Sequence, residues 1–344
     1  AERMRAKLNP FTTQEEFEKL VADEALTLPE GSDELRYIAL SQADYLLEVI
    51  GRWEAQTGKS LRRRQHLPDK EPIPPLPGYQ QEAGTQVRSL IGGLMYGARG
   101  TRLDFLKAVH VMSTRVTTWS DDCTAFAEAT LGYIKQWLMI CLVQDARKGP
   151  KCLKEWRPDL SADADHRVPK CYSGSILTVS PTSCNLNDDV FLTLDFGSTG
   201  QKYVKLSPAE SEVVCAVWAM RFALRYCESW HALGDRNAYH DGSQGTGVVP
   251  DIPIWAVLRQ REDNTACIQM LERGWSAALT YVCSVYGVSC LWAAERIKEG
   301  RVELVHEGTK MMMADPLTKL TKADVLYNRG VLRELTALFV KAFQ

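Results

Sequence analysis

The chain has 344 residues, enough for two domains with separate cores. With 45% hydrophobic residues, 24% charged residues and a formal net charge of −2, it reads as globular. That balance excludes a largely disordered chain and a protein that coats nucleic acid by charge alone.

Residues 1–60 read as helical: Thr12–Glu16 resembles a helix start with acids in its first turn, and Tyr45, Leu46, Val49, Ile50 and Trp53 recur at helical spacing. The run Arg62–Arg64 is a solvated charge cluster or a contact for a phosphate backbone. Five prolines between Pro68 and Tyr79 mark a linker. Three further apolar stripes at helical spacing follow: Val87–Met95, Phe105–Met112 and Asp122–Met139. Gly92 and Gly93 allow close helix packing in the first of these. The polar stretch Arg147–Asp165 is the expected boundary between a helical domain, 1–150, and a second domain, 151–344.

Beyond it the pattern changes to mixed α/β. Strands are expected at Tyr172–Val179, Val190–Phe196, Gln201–Leu206, Ile252–Leu258 and Arg301–His306. Ser207 and Pro208 open a long helix running to about Leu233, since a serine cap followed by proline suits a first turn. Helices are expected after Asp263, over Leu291–Glu299, over Met311–Lys319 and over Lys322–Phe343.

The ten cysteines form no Cys-x-x-Cys pair and no zinc-spaced set, so they read as buried thiols in a reducing compartment. The start of the chain shows no apolar signal core, and the most apolar window, Trp137–Val143, is too short to span a bilayer. A cytoplasmic or nuclear protein without membrane partners is the expectation.

Four acidic stretches carry the chemistry. They centre on Asp163 in Ser161–Asp165, Glu212 in Leu206–Glu212, Asp263 in Arg261–Asn264 and Asp315 in Met313–Pro316. Strand ends and helix starts are where groups converge into a crevice. Crowded carboxylates repel one another, so a cluster implies a hard cation such as Mg²⁺. Asp163 would bridge two ions, Glu212 and Asp263 would complete one, and Asp315 the other, giving a clamp on a phosphodiester. Their oxygens should then converge within about 4–8 Å. Asp165 and Glu210 compete for the first two positions, and Glu262 could be a ligand too, although facing water is the expectation. His306 is a candidate proton shuttle. Trp218 and Trp230 on the long helix could stack on bases, with core packing the expectation for Trp218.

At these residues the chain resembles the C-terminal part of a Copia-type retrotransposon Pol polyprotein. Val87–Tyr96, Ala98–Arg102, Asp104 and Leu131–Lys135 are similar to the connection region after the reverse transcriptase palm. Ala162–Asp165 with Tyr172–Gly174, Leu206–Glu212, Glu262–Cys267, and Glu303–His306 with Met313–Lys319 are similar to the motifs of that family's RNase H domain. The resemblance implies an RNase H-like mixed sheet flanked by helices, preceded by a mainly helical reverse transcriptase remnant. It places the metal-binding, catalytic acids on Asp163, Glu212, Asp263 and Asp315. It also implies two Mg²⁺ ions (or Mn²⁺), an RNA–DNA hybrid as substrate, and the remainder of the polyprotein as partner. Arg167, Lys170, Lys202, Lys205 and Lys319 are the basic candidates for backbone contact. The chain departs from the family pattern at His166, Leu103, Glu307–Lys310, Cys184–Gly200, 228–251 and Cys290–Arg296. With no Tyr-x-Asp-Asp motif, DNA synthesis is not expected. The alternatives are a decayed element that only binds nucleic acid or supports a fold, and an integrase- or resolvase-like nuclease cutting duplex DNA.

Overall fold

The computed structural model describes residues 37–73, 78–79, 81–145, 150, 152–166, 171–183, 192–201, 207–234, 252–277 and 280–334. In chain order the elements are β1 (Tyr37–Leu40), α1 (Ala43–Thr57), α2 (Thr85–Gly100), α3 (Leu106–Thr114), α4 (Asp121–Gln136), β2 (Ile140–Asp145), β3 (Trp156–Asp165), β4 (Tyr172–Pro181) and β5 (Leu192–Gly200). They continue with α5 (Pro208–Gly234), β6 (Leu258–Glu262), α6 (Thr265–Arg273), α7 (Val282–Tyr286), α8 (Cys290–Lys298), β7 (Val302–His306), α9 (Asp315–Thr318), α10 (Asp324–Asn328) and β8 (Leu332–Glu334). Two compact units result, one of residues 1–144 with the segment from Leu326 onward, the other from Asp145 to Val325. None of the described helices is long and apolar enough to cross a membrane.

The first unit is mainly helical. Leu46, Val49, Ile50 and Trp53 make the buried face of α1. A Cβ on Gly93 would lie 3.2 Å from Val49, and one on Gly97 would lie 2.7 Å from Leu46, so these two glycines let α1 and α2 approach. Gly92, expected to share that role, faces open space. The Arg62–Arg64 run is held by its backbone: Arg64 N donates to Gly132 O at 3.0 Å, while the Arg62 and Arg64 side chains are exposed. The same unit contains a buried polar knot. Arg102 donates through Nε and Nη2 to both oxygens of Asp104 at 3.0 and 2.9 Å, and Tyr133 Oη donates to Asp104 Oδ2 at 2.8 Å. Burial disfavours the Arg102 cation, but Asp104 outweighs it, and the guanidinium holds its proton more firmly than usual.

Three expectations fail in this unit. Tyr37–Leu40 is a strand within a region read as helical, and it lies beside β2 in a sheet ordered β1-β2-β8. The reading of Lys322–Phe343 as one helix also fails: α10 ends at Asn328, Gly330 turns the chain at φ 74°, and β8 then pairs antiparallel with β2. A non-glycine residue adopts that backbone only with strain. The pairing assigns the segment from Leu326 to the first unit rather than to a second domain ending at 344. Thr12–Glu16 lies outside the described residues.

The second unit is a five-stranded mixed sheet flanked by helices, in the order β5-β4-β3-β6-β7. β3, β4 and β5 are antiparallel neighbours, while β3, β6 and β7 are parallel. The expected boundary Arg147–Asp165 is thus corrected, since Trp156–Asp165 is the central strand and buried throughout. The strand expected at Ile252–Leu258 begins only at Leu258. Pro253, with φ near −64° and no N–H to donate, leads into a 3-10 turn over Ile254–Ala256. The strand expected at Gln201–Leu206 lies mostly outside the described residues.

Alternation along β3 sends successive side chains to opposite faces. Leu160, Ala162 and Ala164 join Leu177 and Leu258 in a core against Val213, Ala216, Val217 and Met220 of α5. Ser207 caps α5 as expected, its Oγ accepting from Glu210 N at 3.2 Å. The opposite face carries buried charge: Asp159 accepts from Arg261 Nε and Nη2 at 2.7 and 2.6 Å and from Ser180 Oγ at 2.8 Å. Arg261 Nη1 donates onward to Glu307 Oε1 at 2.8 Å. Cys123, Cys141, Cys171, Cys215, Cys227 and Cys267 are buried, and no disulfide forms among the described residues.

Candidate metal centre

Strand register builds the centre. β3 and β6 run parallel with Ser161 opposite Arg261, so two residues further on Asp163 and Asp263 stand level on the same face. Asp163 is buried at the end of β3, and Asp263 is half-buried just past β6. Asn264 then caps α6, its side chain accepting from Cys267 N at 3.1 Å. Asp315, 0% exposed, opens α9 with Pro316 in the first turn.

α9 reaches the centre through Gly174, the partner of Asp163 in the β3–β4 register. A Cβ there would lie 2.7 Å from Leu317 Cβ, 3.0 Å from Thr318 Cγ2 and 3.1 Å from Ala314 O. Only a bare Cα lets α9 sit this close. Gly174→Ala is therefore expected to lower stability by about 1–3 kcal/mol through overpacking. It should also weaken divalent-ion binding, because α9 carries Asp315. Denaturant unfolding and an ion titration check both, and unchanged ion affinity would show that α9 yields without moving Asp315.

Asp163, Asp263 and Asp315 each bring a carboxylate oxygen within 4.8 Å of the others. Asp163 Oδ2 accepts from Thr318 Oγ1, and Asp163 Oδ1 faces Lys319 Nζ at 3.2 Å. The same ammonium lies 2.5 Å from Asp315 Oδ1, while the buried Asp315 Oδ2 has no hydrogen-bond partner. Converging oxygen donors, one of them orphaned, suit a hard divalent cation. Burial and the adjoining Asp163 push the Asp315 carboxyl up to about 6, against the opposing pull of Lys319. Burial works against the Lys319 ammonium, but Asp163 and Asp315 reverse that and raise it.

Glu212 is not part of this group of three. Its Oε2 accepts from Ala164 N at 2.9 Å, on the α5 side of the sheet. Burial, then Asp163, lifts its carboxyl to about 9, although the Ala164 N–H favours the anion. Glu262, expected to face water, is 0% exposed, and neither carboxylate oxygen has a hydrogen-bond partner. Leu258, Gln260 and Glu262 share the α5 face by alternation, and Gln260 Nε2 donates to Ala216 O on that helix. One turn back along α5 from Ala216 is Glu212. Burial first, then Glu212, Asp263 and Asp163, raise the Glu262 carboxyl well above the usual range.

The competing acids have other work. Asp165 Oδ1 accepts from Tyr172 N at 2.5 Å, closing the β3–β4 pair, and Glu210 Oε2 accepts from Tyr281 Oη at 3.0 Å. Arg167, Lys170, Lys202 and Lys205 lie outside the described residues. Lys319, expected at a phosphate backbone, instead sits among the carboxylates. Its spacing of four residues from Asp315 was the available signal. Trp218, expected in the core, is 49% exposed and stacks beside Phe222 on the outer side of α5.

No family model and no curated protein matches the chain. Among solved structures it is similar to the N-terminal RNase H domain of Rv2228c from Mycobacterium tuberculosis, determined as a fusion with maltose-binding protein. That similarity has 11% identity and a TM-score of 0.27, and covers 51% of this chain and 96% of the other.

Proposed function

We propose that the second unit hydrolyses the RNA strand of RNA–DNA hybrids at a divalent-metal carboxylate centre, and that the chain is the C-terminal part of a Copia-type Pol polyprotein. The observation that carries the chemistry is the meeting of Asp163, Asp263 and Asp315, separated by about a hundred and by fifty residues in sequence, within 4.8 Å. The sequence motifs around those acids, and the mixed sheet that presents them, support the family reading.

Bound Mg²⁺, or Mn²⁺ in its place, would supply Lewis-acid stabilisation of the charge that develops on a phosphodiester. Asp163, Asp263 and Asp315 would hold the ion. Thr318 fixes the rotamer of Asp163 through its hydroxyl hydrogen bond, and the Ala164 N–H fixes Glu212 at the inner edge. Preorganised groups of this kind need no rearrangement as charge develops. His306, exposed at the end of β7, is the candidate for taking up a proton. Selectivity for a hybrid would come from its geometry and the RNA 2′-hydroxyl. The proposed setting is the cytoplasm or nucleus, with the remaining polyprotein as partner.

The test compares matched RNA–DNA hybrid, duplex DNA and single-stranded RNA, each end-labelled, with Mg²⁺ and with EDTA. Cutting of the hybrid's RNA strand in Mg²⁺ alone is expected. Hybrid binding without cleavage would turn the reading towards a decayed binding module, and preferred cutting of duplex DNA towards a different nuclease.

A further inference from the structure

The carboxylate centre already contains one cation of its own. Lys319 Nζ lies between Asp163 Oδ1 at 3.2 Å and Asp315 Oδ1 at 2.5 Å. The lysine follows α9 directly, so a single turn returns its ammonium to the acid that opens the helix. Thr318 Oγ1 takes the other oxygen of Asp163. Both Asp163 oxygens are therefore engaged, whereas the buried Asp315 Oδ2 has no hydrogen-bond partner among the described residues. Glu212, which a second divalent ion would need, is held by Ala164 N and lies outside the group of three.

We propose that Lys319 is the centre's second cation, so that the cluster takes one divalent ion per chain where the sequence pattern implied two. This rests on reading the cluster as a metal site. Asp163 already meets this ammonium and would also hold the first divalent ion, so a second divalent ion would bring a third positive charge to the same carboxylate, and like charges at such distances repel strongly away from bulk water. A phosphodiester at this centre would meet a divalent ion on one side and a charged hydrogen-bond donor on the other. Lys319 is 30% exposed at its side chain, so it has access to such a ligand. An ammonium serves there as a compact point charge with three donors.

The experiment counts Mn²⁺ ions bound per full-length chain, by loss of the free-ion electron paramagnetic resonance signal and by calorimetry. One Mn²⁺ is expected for the natural chain and for Lys319→Arg, and two for Lys319→Met, with folding checked by circular dichroism. Lys319→Gln replaces the methionine variant if that one does not fold. Two ions in the natural chain would overturn the proposal, as would a single ion of unchanged affinity in the uncharged variant. No bound Mn²⁺ in the natural chain would instead overturn the metal-site reading beneath it.

Discussion

Asp163→Asn is expected to lower Mg²⁺-dependent cleavage of the hybrid by about 10³-fold or more, equivalent to roughly 4 kcal/mol of barrier. Asp163 is the residue on which the centre's contacts converge: it belongs to the carboxylate triad, accepts from Thr318 and pairs with Lys319. Asparagine keeps its size and one acceptor but removes the charge, so ion binding suffers more than packing does. The same substitution should leave folding stability level or raise it, because it relieves repulsion with Asp315 and Glu212. Both of those carboxyls are held above their ordinary range partly by Asp163. Activity and stability thus move in different directions, which separates loss of the centre from loss of the fold. Cleavage within tenfold of the natural chain would remove Asp163 from the mechanism.

Asp163, Asp263 and Asp315, the three acids that meet, were legible because each sits in a short motif, and the mixed sheet was legible from strand-like runs such as Tyr172–Val179. What sequence could not resolve was which acid in each motif faces inward. Asp163 and Asp165 both point away from the α5 core by alternation, and only the backbone shows that Tyr172 N claims Asp165. β3 was hidden for a related reason. Asp159, Ser161, Asp163 and Asp165 make it look like a polar connection, because the groups that neutralise and bond them come from far away. Arg261 lies 102 residues from Asp159, and Lys319 lies 156 from Asp163. A buried charge with a distant partner has the same local pattern as a solvated one. Glu262 shows the reverse case: its neighbours Arg261 and Asp263 suggest a solvated stretch, yet strand parity turns it inward beneath Glu212. The short β8 was unreadable because its three residues are fixed by β2 rather than by their own propensity.

The same hidden partnership gives the largest expected effect on stability. Asp159→Ala should lower the unfolding free energy of the second unit by about 3–5 kcal/mol, the usual result of removing one member of a buried ion pair. Asp159 is 1% exposed and receives two hydrogen bonds from Arg261 and one from Ser180, with Arg259 Nη1 3.6 Å away. With the carboxylate gone, the Arg261 guanidinium, 3% exposed, keeps Glu307 but loses its bidentate partner, and little water can replace it. The loss is a sizeable share of the roughly 5–15 kcal/mol that holds a typical domain folded. An exposed pair provides the contrast: Arg88 and Glu82 are 2.7 Å apart with side chains 49% and 73% exposed. Arg88→Ala should cost at most about 1 kcal/mol, because water already screens that pair. Urea unfolding of the three chains measures both numbers. If Asp159→Ala lost no more than Arg88→Ala, the charged face of the sheet would be held by something other than this ion pair. The level register that sets Asp163 beside Asp263 would then need a different support, since Asp159 and Arg261 lie on the same two strands, two and one side chains below the carboxylates respectively.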